Sequence, residues 1–192
     1  MIKRELYMNR IRPFIGGELI KVMTGIRRSG KSVMLELIKE ELAEAGVAPS
    51  PMISINFEDM RYSHLQTATA LHDEIIKRAE GIEGKAYLFF DEIQEVEGWE
   101  KCVNSLRVAL DCDIYITGSN AKLLSGELAT YIGGRYVEFV IYPFSFAEFL
   151  ELYHTIAPSD SIQQCFQKYL LAGGMPYLAN LRYEEEPSRQ YL

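Results

Sequence analysis

The sequence predicts an α/β fold: a parallel β-sheet with helices on both faces, followed by a small helical region. Three observations lead there. Short apolar runs alternate with segments of helical period between residues 19 and 141. The first run, Leu19–Thr24, leads into Gly25-Ile26-Arg27-Arg28-Ser29-Gly30-Lys31-Ser32 and then a helical segment, the strand–loop–helix setting of a phosphate-binding loop. A later run, Ala86–Phe90, is apolar throughout, as a strand covered on both faces must be, and ends on Asp91-Glu92.

The elements follow in order. Residues 3–14 have Leu6, Arg10, Ile11 and Phe14 at near-helical spacing, with Pro13 and Gly16-Gly17 as the stop. The first strand is Leu19–Thr24. The helix after the glycine loop buries Met34, Leu37, Ile38 and Leu42 and ends near Gly46, and Pro49 and Pro51 prevent its continuation. A second strand, Met52–Phe57, closes on Glu58-Asp59, and a helix starting after Thr67 carries Leu71, Ile75 and Ile76 to Gly81. After the Ala86–Phe90 strand, Trp99, Val103, Leu106 and Leu110 form one helical stripe. Asp113–Thr117 is the fourth strand, a short helix holds Leu123, Leu124 and Leu128, and Tyr136–Ile141 is the fifth strand.

Beyond Pro143 the alternation gives way to helices. Ser145-x-x-Glu148 and Ser161-x-x-Gln164 both have the capping-box spacing. The second helix stops at Gly173-Gly174, and the stretch from Asn180 to Leu192 is polar. The chain divides into an N-terminal helical segment (1–16), a core (17–142) and a helical region (143–192).

Composition sets bounds. With 192 residues, 48% hydrophobic and 24% charged, the chain has the make-up of an ordinary globular protein. Its three cysteines, Cys102, Cys112 and Cys165, have no zinc or redox spacing. With no signal-peptide pattern and no apolar run of membrane length, the expected location is cytoplasmic, with no membrane partner. The net charge is −7, yet residues 1–31 hold eight Lys or Arg against two acids. Lys3, Arg4, Arg10, Arg12 and Lys21 lie outside the glycine loop, and a solvated face is the favoured reading over a nucleic-acid contact.

The chemistry collects where strands end. Glycines let consecutive backbone N–H groups of Gly25–Ser32 face one anion at the positive end of a helix. Lys31 suits the β- and γ-phosphates of a nucleoside triphosphate, and the Ser32 hydroxyl suits Mg²⁺. Asp91 is placed to orient Mg²⁺, and Glu92 to polarise an attacking water. An Asp-Glu pair with Glu second favours hydrolysis over transfer to a small molecule. Ser119 and Asn120, after the fourth strand, are candidates for holding that water or the γ-phosphate. Arg135 has two readings: an arginine reaching the γ-phosphate of a neighbouring subunit in a homo-oligomer, or the partner of an acid such as Glu138. Arg27 and Arg28 are unusual in such a loop and are expected to be held by acids such as Glu58 and Asp59. His64, His72 and His154 have no ligand spacing, and the aromatics from Phe139 to Phe149 read as core.

Taken together, Gly-Ile-Arg-Arg-Ser-Gly-Lys-Ser, Phe-Phe-Asp-Glu-Ile-Gln-Glu-Val-Glu-Gly-Trp-Glu, Ile-Thr-Gly-Ser-Asn and Gly-Gly-Arg-Tyr-Val-Glu-Phe resemble, in order and spacing, the AAA-like ATP-binding proteins of bacteria and archaea. These are relatives of the origin-recognition and signal-transduction (STAND) ATPases. The resemblance covers residues 1 to about 180. It implies a P-loop NTPase of three layers, α/β/α, with strand order 5-1-4-3-2. It also implies Lys31 and Ser32 as the Walker-A pair, Asp91 and Glu92 as the Walker-B pair, Ser119/Asn120 as the first sensor and Arg135 as the finger. Such proteins usually continue into a further C-terminal domain, so the chain reads as the ATPase portion of a longer protein. The expected function is Mg²⁺-dependent ATP hydrolysis that drives or switches an effector. The alternative is a nucleotide-gated switch with little turnover, with DNA as a candidate partner.

Overall fold

The computed structural model describes residues 2–118 and 132–191. Five strands form one wholly parallel sheet: β1 (Ile20–Thr24), β2 (Met52–Asn56), β3 (Ala86–Asp91), β4 (Cys112–Thr117) and β5 (Tyr136–Val140). Their order is β2-β3-β4-β1-β5, the expected 5-1-4-3-2 read from the other edge. The register sets Val22 beside Ile116 and Glu138, and Phe90 beside Ile55 and Ile116. β1 and β4 lie inside the sheet and are buried along their whole length. The edge strands β2 and β5 alternate or are half-buried, as a period of two and one-sided cover require.

Alternation along each strand divides the apolar side chains between two cores. Val22, Ile55, Leu88, Phe90, Ile114 and Ile116 face α3 (Ala68–Ala79) and α4 (Trp99–Ala109), where Leu71, Ile75, Val103 and Leu106 are fully buried. Met23, Phe89, Tyr115, Phe139 and Ile141 face α1 (Glu5–Ile11) and α2 (Lys31–Glu44), meeting Ile11, Met34 and Ile38. These are the three layers.

A third core joins α5 (Phe146–Tyr153), α6 (Ile162–Ala172) and α7 (Glu185–Tyr191). Both capping boxes form as the spacing requires, with Ser145 and Glu148 opening α5 and Ser161 and Gln164 opening α6. Ile2, from the other end of the chain, is buried in this third core. The N-terminal segment therefore touches the helical region as well as the sheet.

Three details depart from the sequence reading. The first helix stops at Ile11 and continues as a 3₁₀ turn, Arg12–Phe14, because Pro13 offers no backbone N–H. The polar stretch after Asn180 contains α7. The solvated basic face fails for two of its members. Lys21 is buried on Asp113, which also accepts from Tyr115 and from the Gly16 N–H at 2.6 Å, and Arg4 is buried on Glu148. The short helix expected at Leu123–Leu128 lies outside the described residues.

Candidate active site

The carboxyl ends of β1, β3 and β4 open together. The loop leaving β1 turns at Gly25, whose φ is +146°; a Cβ there would sit 2.2 Å from the Ile141 carbonyl oxygen, so only glycine fits between the loop and the exit of β5. Gly30 has φ +101° and opens α2 without a side-chain cap, which leaves the first-turn N–H groups of a 14-residue helix for an anion. Ser29 Oγ is buried with no protein partner.

Lys31 is buried, and its ammonium donates to the carbonyls of Gly25 (3.4 Å) and Ile26 (3.3 Å) and lies 3.7 Å from Glu92 Oε1. The Glu92 backbone is left-handed (φ 55°), an unfavourable conformation for a residue with a Cβ. It is fixed by its N–H donating to Thr117 Oγ1 at 3.0 Å and by Gln94 Nε2 donating to Glu92 Oε2 at 2.6 Å. Asp91 accepts from the Thr117 hydroxyl and from Asn56 Nδ2 at 3.2 Å. Burial raises the Asp91 carboxyl above its ordinary range, and the hydroxyls of Thr117 and Ser32 offset this in part.

The structure thus brings Lys31, Ser32, Asp91 and Glu92 together, with three supports that have no role in the sequence reading: Asn56, Gln94 and Thr117. Asn56 and Thr117 end the two strands flanking β3; for Asn56 a polar residue at a strand end was the signal, while Thr117 and Gln94 lie within strings that carry the family resemblance. Among the described residues no group of three or more His, Cys, Asp or Glu is placed to hold a metal ion by itself. A buried carboxylate with a nearby serine hydroxyl is instead the hard-oxygen donor set that suits Mg²⁺ when phosphates and water complete the coordination.

A cavity of about 720 Å³ lies over the loop. Lys31, Ser32 and Glu92 line one part of it, and Pro176, Tyr177, Asn180 and Tyr191 of the helical region line another. Tyr177 and Tyr191 stack at 4.9 Å, and the Arg28 guanidinium lies 5.1 Å from the Tyr191 ring. Nothing in the sequence marked these tyrosines. Arg27, exposed at the rim, pairs with Glu58 at 3.3 Å as expected, while Asp59 pairs with Arg61 and Arg28, contrary to expectation, lies over the Tyr191 ring and on no acid among the described residues. Ile26 is exposed.

Arg135 stands elsewhere. Its carbonyl accepts from the Ile20 N–H, which fixes it at the amino end of β5, away from the glycine loop. Its side chain is exposed and donates to Asn104 Oδ1 at 3.0 Å, whereas Glu138 accepts from Thr24 Oγ1 at 2.6 Å. The Arg135–Glu138 pairing is therefore not formed. Ser119 and Asn120 lie outside the described residues.

Residues 18–150 match the family model described as an AAA domain. An uncharacterized protein of Haemophilus influenzae is 44% identical over 176 residues, covering 92% of this chain and 44% of that protein. The uncharacterized protein MJ1544 of Methanocaldococcus jannaschii is 35% identical over 185 residues, covering 90% and 40%. The chain thus spans less than half the length of these curated relatives. Among solved structures, AMPPCP-bound DnaA from Aquifex aeolicus superposes with a TM-score of 0.61 at 12% identity, over 94% of this chain and 59% of that one. At that identity the likeness is one of fold. No helix among the described residues is long and apolar enough to cross a membrane.

Proposed function

The chain belongs to the AAA domain family, and we propose that it binds ATP over the Gly25–Ser32 loop and hydrolyses it. The observation that carries this reading is the meeting of Lys31, Ser32 and Glu92 at one cavity beside the uncapped start of α2, with Asp91 buried behind them and hydrogen-bonded by the Ser32 hydroxyl. The β- and γ-phosphate oxygens take over the Lys31 ammonium from the Gly25 and Ile26 carbonyls, and the loop N–H groups face the same charge. Ser32 and Asp91 would hold Mg²⁺, which when bound neutralises charge on the β- and γ-phosphates.

Glu92 then acts on the attacking water. Its carboxylate draws on the water proton as the oxygen approaches the γ-phosphorus, and the bond to the β–γ bridging oxygen breaks to leave ADP and phosphate. Gln94 steers that carboxylate by holding Oε2 and leaving Oε1 toward Lys31. Tyr177 and Tyr191 give the cavity aromatic faces of the kind on which a base packs.

Arg135 cannot serve the loop of its own chain, because five residues of β5 separate them, roughly 16 Å at strand rise. Exposed at the opposite end of the sheet, it would leave its hydrogen bond to Asn104 to approach the site of a second copy. What turnover drives is assigned to an effector region or partner, for which the relatives have room outside the matched portion.

Titration calorimetry with ATP and Mg²⁺ tests the binding step. Lys31→Ala is expected to weaken ATP by at least about tenfold, the order of one charge-assisted contact. Equal affinity in the variant would remove Lys31 from the site and with it the reading.

A further inference from the structure

Among the described residues Arg4 is one of the largest fully buried side chains, although the early cations of the sequence read as surface. Its backbone is left-handed at φ 47°, ψ 49°, a conformation costly for any residue with a Cβ. The guanidinium lies over the rings of Tyr7 (4.6 Å) and Phe144 (5.1 Å). Nη1 donates to the Ser29 carbonyl at 3.0 Å, Nη2 to the Tyr142 carbonyl at 2.8 Å, and Nε to Glu148 Oε1 at 2.8 Å. Glu148 Oε2 lies 3.4 Å from Nη2 and also accepts from the Ser145 N–H at 2.8 Å, closing the capping box of α5. One side chain thereby spans the phosphate loop, the segment leaving β5 and the first helix of the helical region.

The contact with Ser29 has a consequence for anion binding. In a trans peptide the C=O and the N–H point opposite ways, so the arginine bond to the Ser29 carbonyl turns the Gly30 N–H away from Arg4. Glycine at position 30 accepts backbone conformations of either hand, so a flip there meets little steric resistance. Reversal would aim a carbonyl dipole at the phosphates. The arginine donor holds that oxygen away from the cavity, and Gly30 leaves it room: a Cβ at this position would lie 3.3 Å from Nη1.

We propose that Arg4 is the positioning residue of the phosphate loop, fixing the Ser29–Gly30 peptide for the triphosphate and, through Glu148, tying that loop to α5. This rests on the ATP reading above for its ligand, and on geometry alone for the tie.

Two measurements on the full chain test it. Amide hydrogen exchange of the nucleotide-free protein is followed by peptide, and ATP affinity is measured by titration. Arg4→Lys keeps a cation for Glu148 but loses the planar fork. It is expected to speed exchange in residues 25–32 and 145–153 while leaving β3 as it was, and to weaken ATP by about tenfold, the order of one charge-assisted hydrogen bond. Glu148→Gln, which touches no atom of the loop, is expected to move both readouts the same way by about threefold, as a neutral acceptor holds arginine less firmly. If both variants keep loop exchange and ATP affinity within about twofold of wild type, less than any such bond contributes, the proposal is overturned. Faster exchange spread evenly over the sheet overturns it too, since that marks general destabilisation. A wild-type chain that fails to bind ATP removes the ATP reading instead, and the exchange pattern then decides the Arg4 tie alone.

Discussion

Replacing Gly25 with alanine puts the joint between the phosphate loop and the sheet under a defined load. At φ +146° an alanine occupies a region left almost wholly to glycine, at a cost of about 1–3 kcal/mol. Its Cβ would also lie 2.2 Å from the Ile141 oxygen and must retreat to about 3.0 Å, so one backbone or the other moves by about 0.8 Å. The Ile141 N–H donates to the Thr24 carbonyl at 2.7 Å, the residue next to Gly25. That shift strains this hydrogen bond as well, for about 1 kcal/mol more. The sum, about 2–4 kcal/mol, is a large part of the 5–15 kcal/mol that holds a typical domain folded. It corresponds to a fall of roughly 5–15 °C in Tm for a chain of this size.

Gly46→Ala is the control. Gly46 also has positive φ, +91°, but a Cβ there meets nothing within 4 Å, so it carries only the backbone term of about 1–2 kcal/mol. Thermal unfolding of both variants, followed by circular dichroism, isolates the steric part. If Gly25→Ala melts no lower than Gly46→Ala, the close approach of loop and β5 is refuted.

Two other predictions concern the cations. Burial works against ionisation of Glu148, but its hydrogen bonds from Arg4 and Ser145 prevail and hold its carboxyl below the usual 4.5. A carboxylate with a lowered folded pKa contributes stability that is present above its unfolded value and is lost as pH falls through the folded one. The thermal midpoint of the wild type should therefore fall toward that of Glu148→Gln as pH drops below about 4.5, and curves that stay parallel would deny the pair its role. For Arg135, phosphate release per subunit should rise with protein concentration in the wild type and stay low and flat in Arg135→Ala; strict independence of concentration in the wild type would exclude a shared site.

How much of this was legible beforehand depends on how local each signal is. The sheet was, because β1, β3 and β4 are buried on both faces and so appear as mostly apolar runs, interrupted only by Lys21 in β1 and Asp113 in β4 before the polar residues that end them. Lys31, Ser32, Asp91 and Glu92 were, because a loop that curls around phosphate and a carboxylate at a strand end need fixed residue types at fixed spacing. Arg4 was not. Its partner Glu148 is 144 residues away, and a cation before an amphipathic helix ordinarily points to water. Lys21 hid in the same way, since only the β1–β4 pairing brings it to Asp113. Asn56, Tyr177 and Tyr191 belong to no spaced pattern, and Gln94 follows the Asp91-Glu92 pair without a role of its own; each acquires a part only through what the fold sets beside it.

The central claim is hydrolysis at Glu92. Phosphate release from ATP with Mg²⁺, compared between the wild type and Glu92→Gln at matched ATP occupancy, tests it most directly. Glu92→Gln should bind ATP but turn it over at least about a hundredfold more slowly, the lower end of what a positioned base contributes. Equal turnover in the two proteins would contradict the assignment.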